Sequence, residues 1–314
     1  MSYTETHNNE SSGLLDSVDA RTNLAGSNKM EILLFSIGSN EVFGINVFKV
    51  KEVTRGVRIT KTPNMPHGVD GIVSLRGHVM PVLNLSRFMG LGDPGEQNVM
   101  MVAEYSRHVL GFLVRDVDRI IRVDWDKVRA AEGMVSGNSH LITAITELPS
   151  GTLVSILDVE QIMASAFGEA VVGTVEKVDD GHIKSVLFVD DSSVARKKIA
   201  EVLDKMGVKH LQAHNGLEGW NRLKGLADAA YNAGVDLHDQ IQVILVDAEM
   251  PEMDGYVLTQ HIKADRRFDN IPVVMHSSLS SEANKSMGKR VGVDYYVPKF
   301  DAMILSETLR PLLA

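Results

Sequence analysis

The sequence contains no cysteine among its 314 residues. Disulfide bonds, thiolate catalysis and zinc sites built on cysteine are therefore excluded, and this composition is compatible with a cytoplasmic location. The sequence also lacks any run of 18 apolar residues, so we expect no transmembrane helix and no direct insertion into a membrane. The opening stretch, MSYTETHNNESSG, has no basic segment followed by an apolar core. We therefore expect no secretory signal there.

Basic residues are also in deficit. Lysine and arginine number 32 against 41 aspartates and glutamates, which gives a formal net charge of −9. A nucleic-acid partner is disfavoured, because binding to the phosphate backbone needs a basic stripe. The chain is 44% hydrophobic and 23% charged, as is typical of globular proteins. Its length predicts about two domains.

The pattern of apolar residues predicts where these domains lie. Residues 1–28 are mostly polar and are predicted to form a largely disordered N-terminal tail. Short apolar runs separated by turn residues fill 29–165, for example EILLFSIG, NVMMVAEY and HVLGFLV. Closely spaced short strands predict an all-β domain, a barrel or a sandwich. Small and polar residues over 166–184 predict a linker, and 185–314 forms the last domain.

One segment of the first domain predicts a helix instead of a strand. In NVFKVKEV, Val47, Val50 and Val53 recur at every third position, which corresponds approximately to one face of a helix.

The last domain alternates apolar strands with helical patterns. Its strands SVLFVDD, QVILVD, IPVVMHSS and DYYVPK are apolar throughout, which predicts a parallel sheet covered by helices on both faces, a doubly wound α/β fold. Ligands bind beyond the carboxyl ends of such strands. Those ends carry Asp190 and Asp191, Asp247, Ser277 with its neighbour Ser278, and Lys299.

These side chains together suit phosphoryl transfer to an aspartate. Three carboxylates at one edge repel each other unless a cation joins them, and Mg²⁺ prefers such oxygen ligands. A carboxylate can serve as the nucleophile and form an acyl phosphate, while Lys299 and the Ser277 hydroxyl can bind phosphoryl oxygens. Taken singly, each acid has a simpler explanation, because aspartate is a favoured helix cap and Asp-Gly a common turn.

Residues 185–314 resemble a response-regulator receiver domain, similar to CheY and with a flavodoxin-like fold. The resemblance rests on FVDDSSVARKKI, LVDAEMPEMDGY, IPVVMHSS and DYYVPK. It implies that Asp247 is the phosphoacceptor and Lys299 the conserved lysine of the family. It implies that Mg²⁺ is held by the acidic pair Asp190 and Asp191, together with Asp247 and the backbone carbonyl of Glu249. It also implies that Ser277 is the switch hydroxyl and Tyr296 the rotating aromatic.

Two residues depart from the pattern of the receiver family. Lys299 is followed by Phe300 where the family usually has proline, and Glu249 places an acid two residues after the acceptor. Because the Glu249 side chain would compete with an incoming water, we hypothesise that the acyl phosphate is long-lived. Comparing the autodephosphorylation rates of wild type and Glu249→Asn tests this hypothesis, and equal rates would contradict it.

The first domain resembles the CheW coupling domain, through FGINVFKVKEV, GVDGIVSLRGHVMPVLNL, VLGFLVRDVDRIIRV and GTLVSILDVEQIM. The resemblance implies two small five-stranded barrels. It also implies binding to methyl-accepting chemoreceptors and to a CheA-like chemotaxis histidine kinase, with Arg76 in the contact region. A solvated turn arginine is the alternative reading of Arg76.

A CheW-like domain followed by a receiver is the domain order of the CheV family. The resemblance implies a chemotaxis adaptor, not an enzyme, which is cytoplasmic, recruited to membrane receptor arrays and regulated by phosphorylation of Asp247. A phosphate sink that drains phosphoryl groups from the kinase is the alternative. A DNA-binding regulator and a kinase are both disfavoured, because we find neither a basic helix-turn-helix segment nor a Gly-rich nucleotide loop.

Overall fold

The computed structural model describes residues 29–314 except 39, 92–94, 96, 106–107, 132–140, 169–171, 179–180, 182, 278–281 and 300. The predicted N-terminal tail over 1–28 lies outside the described residues, as do Ser278 and Phe300.

The first domain is built mainly of β-strands, as the sequence predicts. Its strands are β1 (Lys29–Ser36), β2 (Val42–Asn46), β3 (Val50–Arg55), β4 (Val69–Leu75), β5 (His78–Asn84), β6 (Val99–Tyr105), β7 (His108–Val114), β8 (Asp116–Asp124), β9 (Arg129–Ala130), β10 (Ile142–Glu147) and β11 (Leu153–Leu157). Among its described residues, the domain also contains the helices α1 (Leu85–Phe88) and α2 (Val159–Phe167) and the 3-10 turns Val47–Lys49 and Trp125–Lys127.

These strands form two sheets, with the orders β8-β1-β2-β11-β10-β9 and β3-β6-β7-β5-β4. Strand β1 is buried on both faces because its side chains alternate. Leu33 and Phe35 pack into a core shared by both sheets, whereas Ile32 and Leu34 pack into a cluster within the first sheet. The second sheet has five strands, and the two-residue β9 gives the first sheet a sixth.

The predicted helix around Val47–Val53 is wrong. Val47–Lys49 is a single 3-10 turn, and Val50–Arg55 is strand β3. All three valines still contact the shared core. A register shift between Val50 and Glu52 in the pairing of β3 with β6 explains the spacing, since a bulge lets residues three apart face the same side.

The second domain alternates strands and helices. Its strands are β12 (Ser185–Val189), β13 (Lys209–Ala213), β14 (Val243–Asp247), β15 (Val273–Ser277) and β16 (Tyr295–Pro298). Its helices are α3 (Ser193–Met206), α4 (Gly216–Ala233), α5 (Gly255–Ala264), α6 (Glu282–Val291) and α7 (Ala302–Leu313), with 3-10 turns at Leu237–Asp239 and Arg266–Phe268.

The five strands of the second domain pair in parallel in the order β13-β12-β14-β15-β16. The sheet is covered on both faces, as its unbroken apolar strands predict. Leu187 and Val189 of β12 point to one core, while Val186 and Phe188 point to the other. This doubly wound arrangement brings the carboxyl ends of β12, β14 and β15 to one edge of the sheet.

The segment 172–178 lies within the predicted linker and packs on the second domain. Val172 is buried in the apolar core that also contains helix α7, and its carbonyl accepts a hydrogen bond from Lys205 Nζ at 2.6 Å. The amide of Val178 donates to the carbonyl of Met206 at 2.9 Å. These contacts hold the segment against α3 and α7.

Candidate functional site

Asp247 is the last residue of β14, and its side chain lies at the carboxyl edge of the sheet, only 4% exposed. Asp190 directly follows β12, Ser277 ends β15, and Lys299 follows β16. The parallel register therefore brings together the groups that the sequence placed at separate strand ends, as the rule for ligand sites in such sheets predicts.

Lys299 is the cation at the centre of this edge. Its Nζ lies 2.8 Å from Asp247 Oδ2 and 2.9 Å from Asp190 Oδ2. Burial alone would lower the pKa of Lys299, but the two aspartates outweigh burial and hold the pKa well above its ordinary value. The ammonium group is therefore permanently charged.

The acidic cluster is defined here as Asp190, Asp191 and Asp247. One carboxylate oxygen from each residue lies within 4.8 Å of the other two. Burial raises the pKa of Asp191 to about 6, and it raises that of Asp247 well above its ordinary value despite Lys299. Asp190 is the exception, because Lys299 and His276 overcome burial and lower its pKa to about 2.

This cluster fits a divalent cation. Three carboxylates converge with one ammonium group between them. Burial, together with the repulsion among the acids, raises the pKa values of Asp191 and Asp247. Mg²⁺ takes carboxylate oxygens and retains waters that a phosphate can replace. Asp190, Asp191 and Asp247 would hold the ion.

The loop after Asp247 is shaped by a capped turn. Asp254 accepts a hydrogen bond from the Val257 amide at 2.7 Å and so caps helix α5. The Gly255 amide donates to the Ala248 carbonyl at 3.0 Å. A Cβ atom at Gly255 would overlap the carbonyl oxygen of Asp247. Glycine at this position is therefore required for the helix to begin directly against the end of β14.

We expect Gly255→Ala to destabilise the C-terminal domain by about 1–3 kcal/mol, because overpacking forces the backbone of Asp247 to move. The matched control is Gly225→Ala on helix α4, where a Cβ meets no atom within 4 Å. That change is expected to stabilise the domain by up to about 1 kcal/mol through helix propensity. Urea denaturation of both variants measures the difference, and equal stabilities would contradict the close approach.

Ser277 and Tyr296 lie beside the acidic cluster. Ser277 is buried, and Tyr296 is half-buried against the apolar cluster of Ala248 and Met275. Burial raises the pKa of Tyr296 to about 12, although a hydrogen bond with Ser277 opposes this. The two predicted switch residues are thus in direct contact in this structure.

Glu249 is half-buried next to the acidic cluster. Its Oε2 accepts a hydrogen bond from Asn46 Nδ2 of the N-terminal domain at 2.9 Å. Burial raises the pKa of Glu249 to about 7, against the opposing effect of Lys49. The long-lived acyl phosphate that we attributed to this side chain stays a prediction, as does the role of the Glu249 carbonyl as a metal ligand.

Several residues of the site come from the N-terminal domain, and the sequence did not predict them. Thr143 Oγ1 donates to Asp191 Oδ2 at 3.0 Å, and Glu160 Oε1 lies 3.6 Å from Lys299 Nζ. His276 of β15, also not predicted, lies 3.9 Å from Asp190. Glu160 has a sufficient local explanation in the sequence, because acids are favoured in the first turn of a helix. The local sequence therefore gives no sign that Glu160 belongs to the site.

Arg76 contributes to no part of this site. Arg76 and Gly77 form the tight turn between β4 and β5, with φ of 49° and 83°, as a two-residue hairpin turn requires. The Arg76 side chain is 73% exposed and forms an ion pair of 2.9 Å with Glu52. Val79, two residues beyond the turn, is 69% exposed. The predicted partner surface is therefore an exposed hairpin turn of the N-terminal domain.

Comparison with known proteins agrees with both domains. The model of the CheW-like domain matches residues 31–167, and that of the response regulator receiver domain matches 186–309. Chemotaxis protein CheV3 of Helicobacter pylori is 31% identical over 278 residues, which cover 87% of this chain and 88% of CheV3. The chain belongs to the CheV family. Its N-terminal domain is accordingly called the coupling domain below, and its C-terminal domain the receiver.

Other CheV-family proteins match over the whole domain order. Chemotaxis protein CheV1 of Helicobacter pylori is 26% identical, covering 95% of this chain and 98% of CheV1. Among solved structures, the scaffolding protein TtCheW from Thermoanaerobacter tengcongensis is 24% identical, with a TM-score of 0.42 over 46% of this chain and 97% of TtCheW. In the part of the CheV-family chain that the structure describes, no helix has the length and apolar character needed to cross a membrane.

Proposed function

We propose that this CheV-family chain is a cytoplasmic chemotaxis adaptor, not an enzyme, which couples chemoreceptors to a histidine kinase and is regulated by phosphorylation of Asp247. The observation that carries the proposal is the convergence of Asp247, Asp190, Asp191 and Lys299 at one sheet edge, in a chain that also carries a coupling domain. One domain supplies the contacts of a scaffold, and the other supplies an acceptor for a signal.

The chemistry of the receiver follows from its charges. Bound Mg²⁺ would supply positive charge to the oxygens of the transferred phosphoryl group. An Oδ atom of Asp247 bonds to phosphorus while the bond from phosphorus to the donor breaks, and the donor leaves with the electron pair. Lys299, which already contacts Asp247 at 2.8 Å, binds one phosphoryl oxygen. The Ser277 hydroxyl donates to another after it leaves Tyr296.

The coupling domain is proposed to bind its partners, receptors and a CheA-like kinase, through the hairpin at Arg76. This turn projects a guanidinium group and the exposed apolar side chain of Val79. Arginine beside exposed apolar surface is characteristic of protein interfaces. Such contacts would recruit the chain to membrane receptor arrays without insertion into the bilayer.

The phosphate sink remains a second candidate, favoured by the same acidic cluster. The two functions separate in one experiment: kinase activity is measured in receptor-containing membranes reconstituted with the kinase and this chain. We expect Asp247→Asn to retain stimulation of the kinase and to lose its response to phosphorylation, whereas Arg76→Glu loses stimulation. The matched control is Arg129→Glu, another exposed arginine of the coupling domain.

Two results would decide against the adaptor. If the wild-type chain does not stimulate the kinase, coupling is excluded. A wild-type chain that only removes phosphate from labelled kinase, with this removal abolished in Asp247→Asn, would establish the sink instead.

A further inference from the structure

The coupling domain covers the edge of the receiver that carries Asp247. Its Thr143 donates a hydrogen bond to Asp191 at 3.0 Å, and its Asn46 donates to Glu249 at 2.9 Å. Both acceptors are acids of the phosphorylation site, so the contact is made with the site itself. The face that would receive a phosphoryl group is already bound to another part of the same chain.

Glu160 of helix α2 reaches furthest into the site. The side chain is 1% exposed, and its Oε1 lies 3.6 Å from Lys299 Nζ and 3.5 Å from Lys49 Nζ. Lys299 therefore has a carboxylate of the coupling domain as a third anionic neighbour, beside Asp190 and Asp247. Among the described residues, Glu160 Oε2 has no hydrogen-bond partner.

Helix α2 holds Glu160 in this position. Asp158 caps the helix by accepting from the Gln161 amide at 2.9 Å, which places Glu160 in the first turn. The neighbouring Gln161 accepts a hydrogen bond from the Ser193 hydroxyl of the receiver at 3.2 Å. The start of α2 is thus fixed both by its own cap and by the first turn of α3.

Little space is left around the acceptor. The cavity whose lining includes Lys49, Glu160, Asp191, Asp247 and Lys299 has a volume of ≈ 20 Å³, enough for about one water molecule. A phosphoryl group adds a phosphorus and three oxygens, and its charge would face the Glu160 carboxylate directly. The docked arrangement has no room for this group and an unfavourable charge beside it.

We infer that the coupling domain is the intramolecular partner of the phosphorylation face, with the Glu160 carboxylate standing beside Lys299 where a phosphoryl oxygen would bind. Docking of the domains and phosphorylation of Asp247 exclude each other. The inference rests on the proposed phosphorylation of Asp247. If only the undocked chain can accept a phosphoryl group, docking lowers the rate of phosphorylation in proportion to the undocked fraction. By linkage, phosphorylation in turn shifts the equilibrium toward separated domains.

The first test compares phosphorylation rates by intact mass in acetyl phosphate and Mg²⁺. Glu160→Gln keeps the shape of the side chain and removes its charge. We expect the undocked fraction, and with it the rate of phosphorylation, to rise about 5- to 150-fold, the usual range of equilibrium coupling between sites. Glu147→Gln, at an exposed acid of the same domain, is the matched control and is expected to keep the wild-type rate.

The second test measures the separation of the domains, because a faster rate could also follow from the lost charge alone. The chain has no cysteine, so Leu153→Cys and Tyr231→Cys, at side chains 61% and 86% exposed, give one spin-labelled pair across the two domains. Phosphorylated wild type is expected to show longer and broader distances than the unmodified chain. Glu160→Gln is expected to shift in the same direction before phosphorylation.

Three results would overturn the inference. Equal phosphorylation rates for wild type, Glu160→Gln and Glu147→Gln would mean that Glu160 does not compete with the phosphoryl group. Unchanged spin-label distances at full phosphoryl occupancy would mean that the domains stay docked. Failure of both wild type and Glu160→Gln to gain phosphate would contradict the inference and the proposed regulation together, whereas the first two results leave the proposed regulation intact.

Discussion

Incubation with acetyl phosphate and Mg²⁺ is expected to add one phosphoryl group to the wild-type chain and none to Asp247→Asn. The carboxylate of Asp247 is the proposed nucleophile, with Lys299 at 2.8 Å and one carboxylate oxygen of each of Asp190 and Asp191 within 4.8 Å. An Oδ atom bonds to phosphorus, the bond to the acetyl oxygen breaks, and acetate leaves. An amide cannot replace the carboxylate in this step.

Intact mass of the purified protein measures the gain directly. Chelation of Mg²⁺ is expected to abolish it, since the three carboxylates then repel the incoming phosphate. Asp228→Asn is the matched control, because Asp228 is an exposed aspartate of the receiver paired only at the surface with Arg267. Phosphate gained equally by Asp247→Asn would place the acceptor elsewhere, and no gain by either wild type or Glu160→Gln would contradict the proposed regulation.

The edge of the receiver could be predicted from sequence because two simple rules act together there. Apolar strands such as VILVD stop at a polar residue, and parallel strands bring their carboxyl ends to one edge. Each of Asp190, Asp247 and Lys299 could therefore be placed without knowledge of any side-chain contact. The strands of the coupling domain followed in the same way from short apolar runs between turns.

Features that depend on tertiary contacts could not be predicted from the sequence. The spacing of Val47, Val50 and Val53 satisfies a helix and also a 3-10 turn followed by a bulged strand, and only the pairing with β6 decides between them. Glu160 looks like an ordinary acid of a first helical turn. Its contact with Lys299 joins residues far apart in the chain, across a domain boundary, where no periodic pattern extends.

Replacement of Lys299 is expected to have the largest effect on stability. The side chain is 3% exposed, and its Nζ lies within 3.6 Å of carboxylates of Asp190, Asp247 and Glu160. Lys299→Met keeps the apolar stem and leaves Asp190 and Asp247 without this cation. Removing one partner of a buried ion pair costs about 3–5 kcal/mol, so we expect a loss of this size in the free energy of unfolding at pH 8 without Mg²⁺.

Fluorescence reports this loss in the receiver, because Trp220 packs against Phe268 in its core. The other tryptophan, Trp125, lies in the coupling domain and is replaced by phenylalanine in every sample. The matched control is Lys263→Met, since Lys263 is 28% exposed and pairs with Asp294 at 2.7 Å. An ion pair this accessible to solvent contributes no more than about 1 kcal/mol.

The pH dependence provides an internal check on the cause. In wild type, Lys299 holds the pKa of Asp190 at about 2, and this contribution to stability is present above the ordinary aspartate pKa and is lost as the pH falls toward 2. Without the lysine, burial raises the pKa of Asp190 as it already raises that of Asp191 to about 6. A carboxyl whose pKa is raised by folding destabilises the folded state as the pH rises through that value. The deficit of Lys299→Met should therefore be largest at pH 8 and shrink toward pH 5.

Added Mg²⁺ distinguishes this electrostatic cause from a simple packing defect. A cation bound by the acidic cluster replaces part of the missing positive charge, and its binding to the folded state alone raises stability with its concentration. We expect Mg²⁺ to recover more stability in Lys299→Met than in wild type. A deficit that changes neither with pH nor with Mg²⁺ would mean that the lysine acts through packing of its stem. The electrostatic interactions of the acidic cluster would then contribute little to the stability of the receiver.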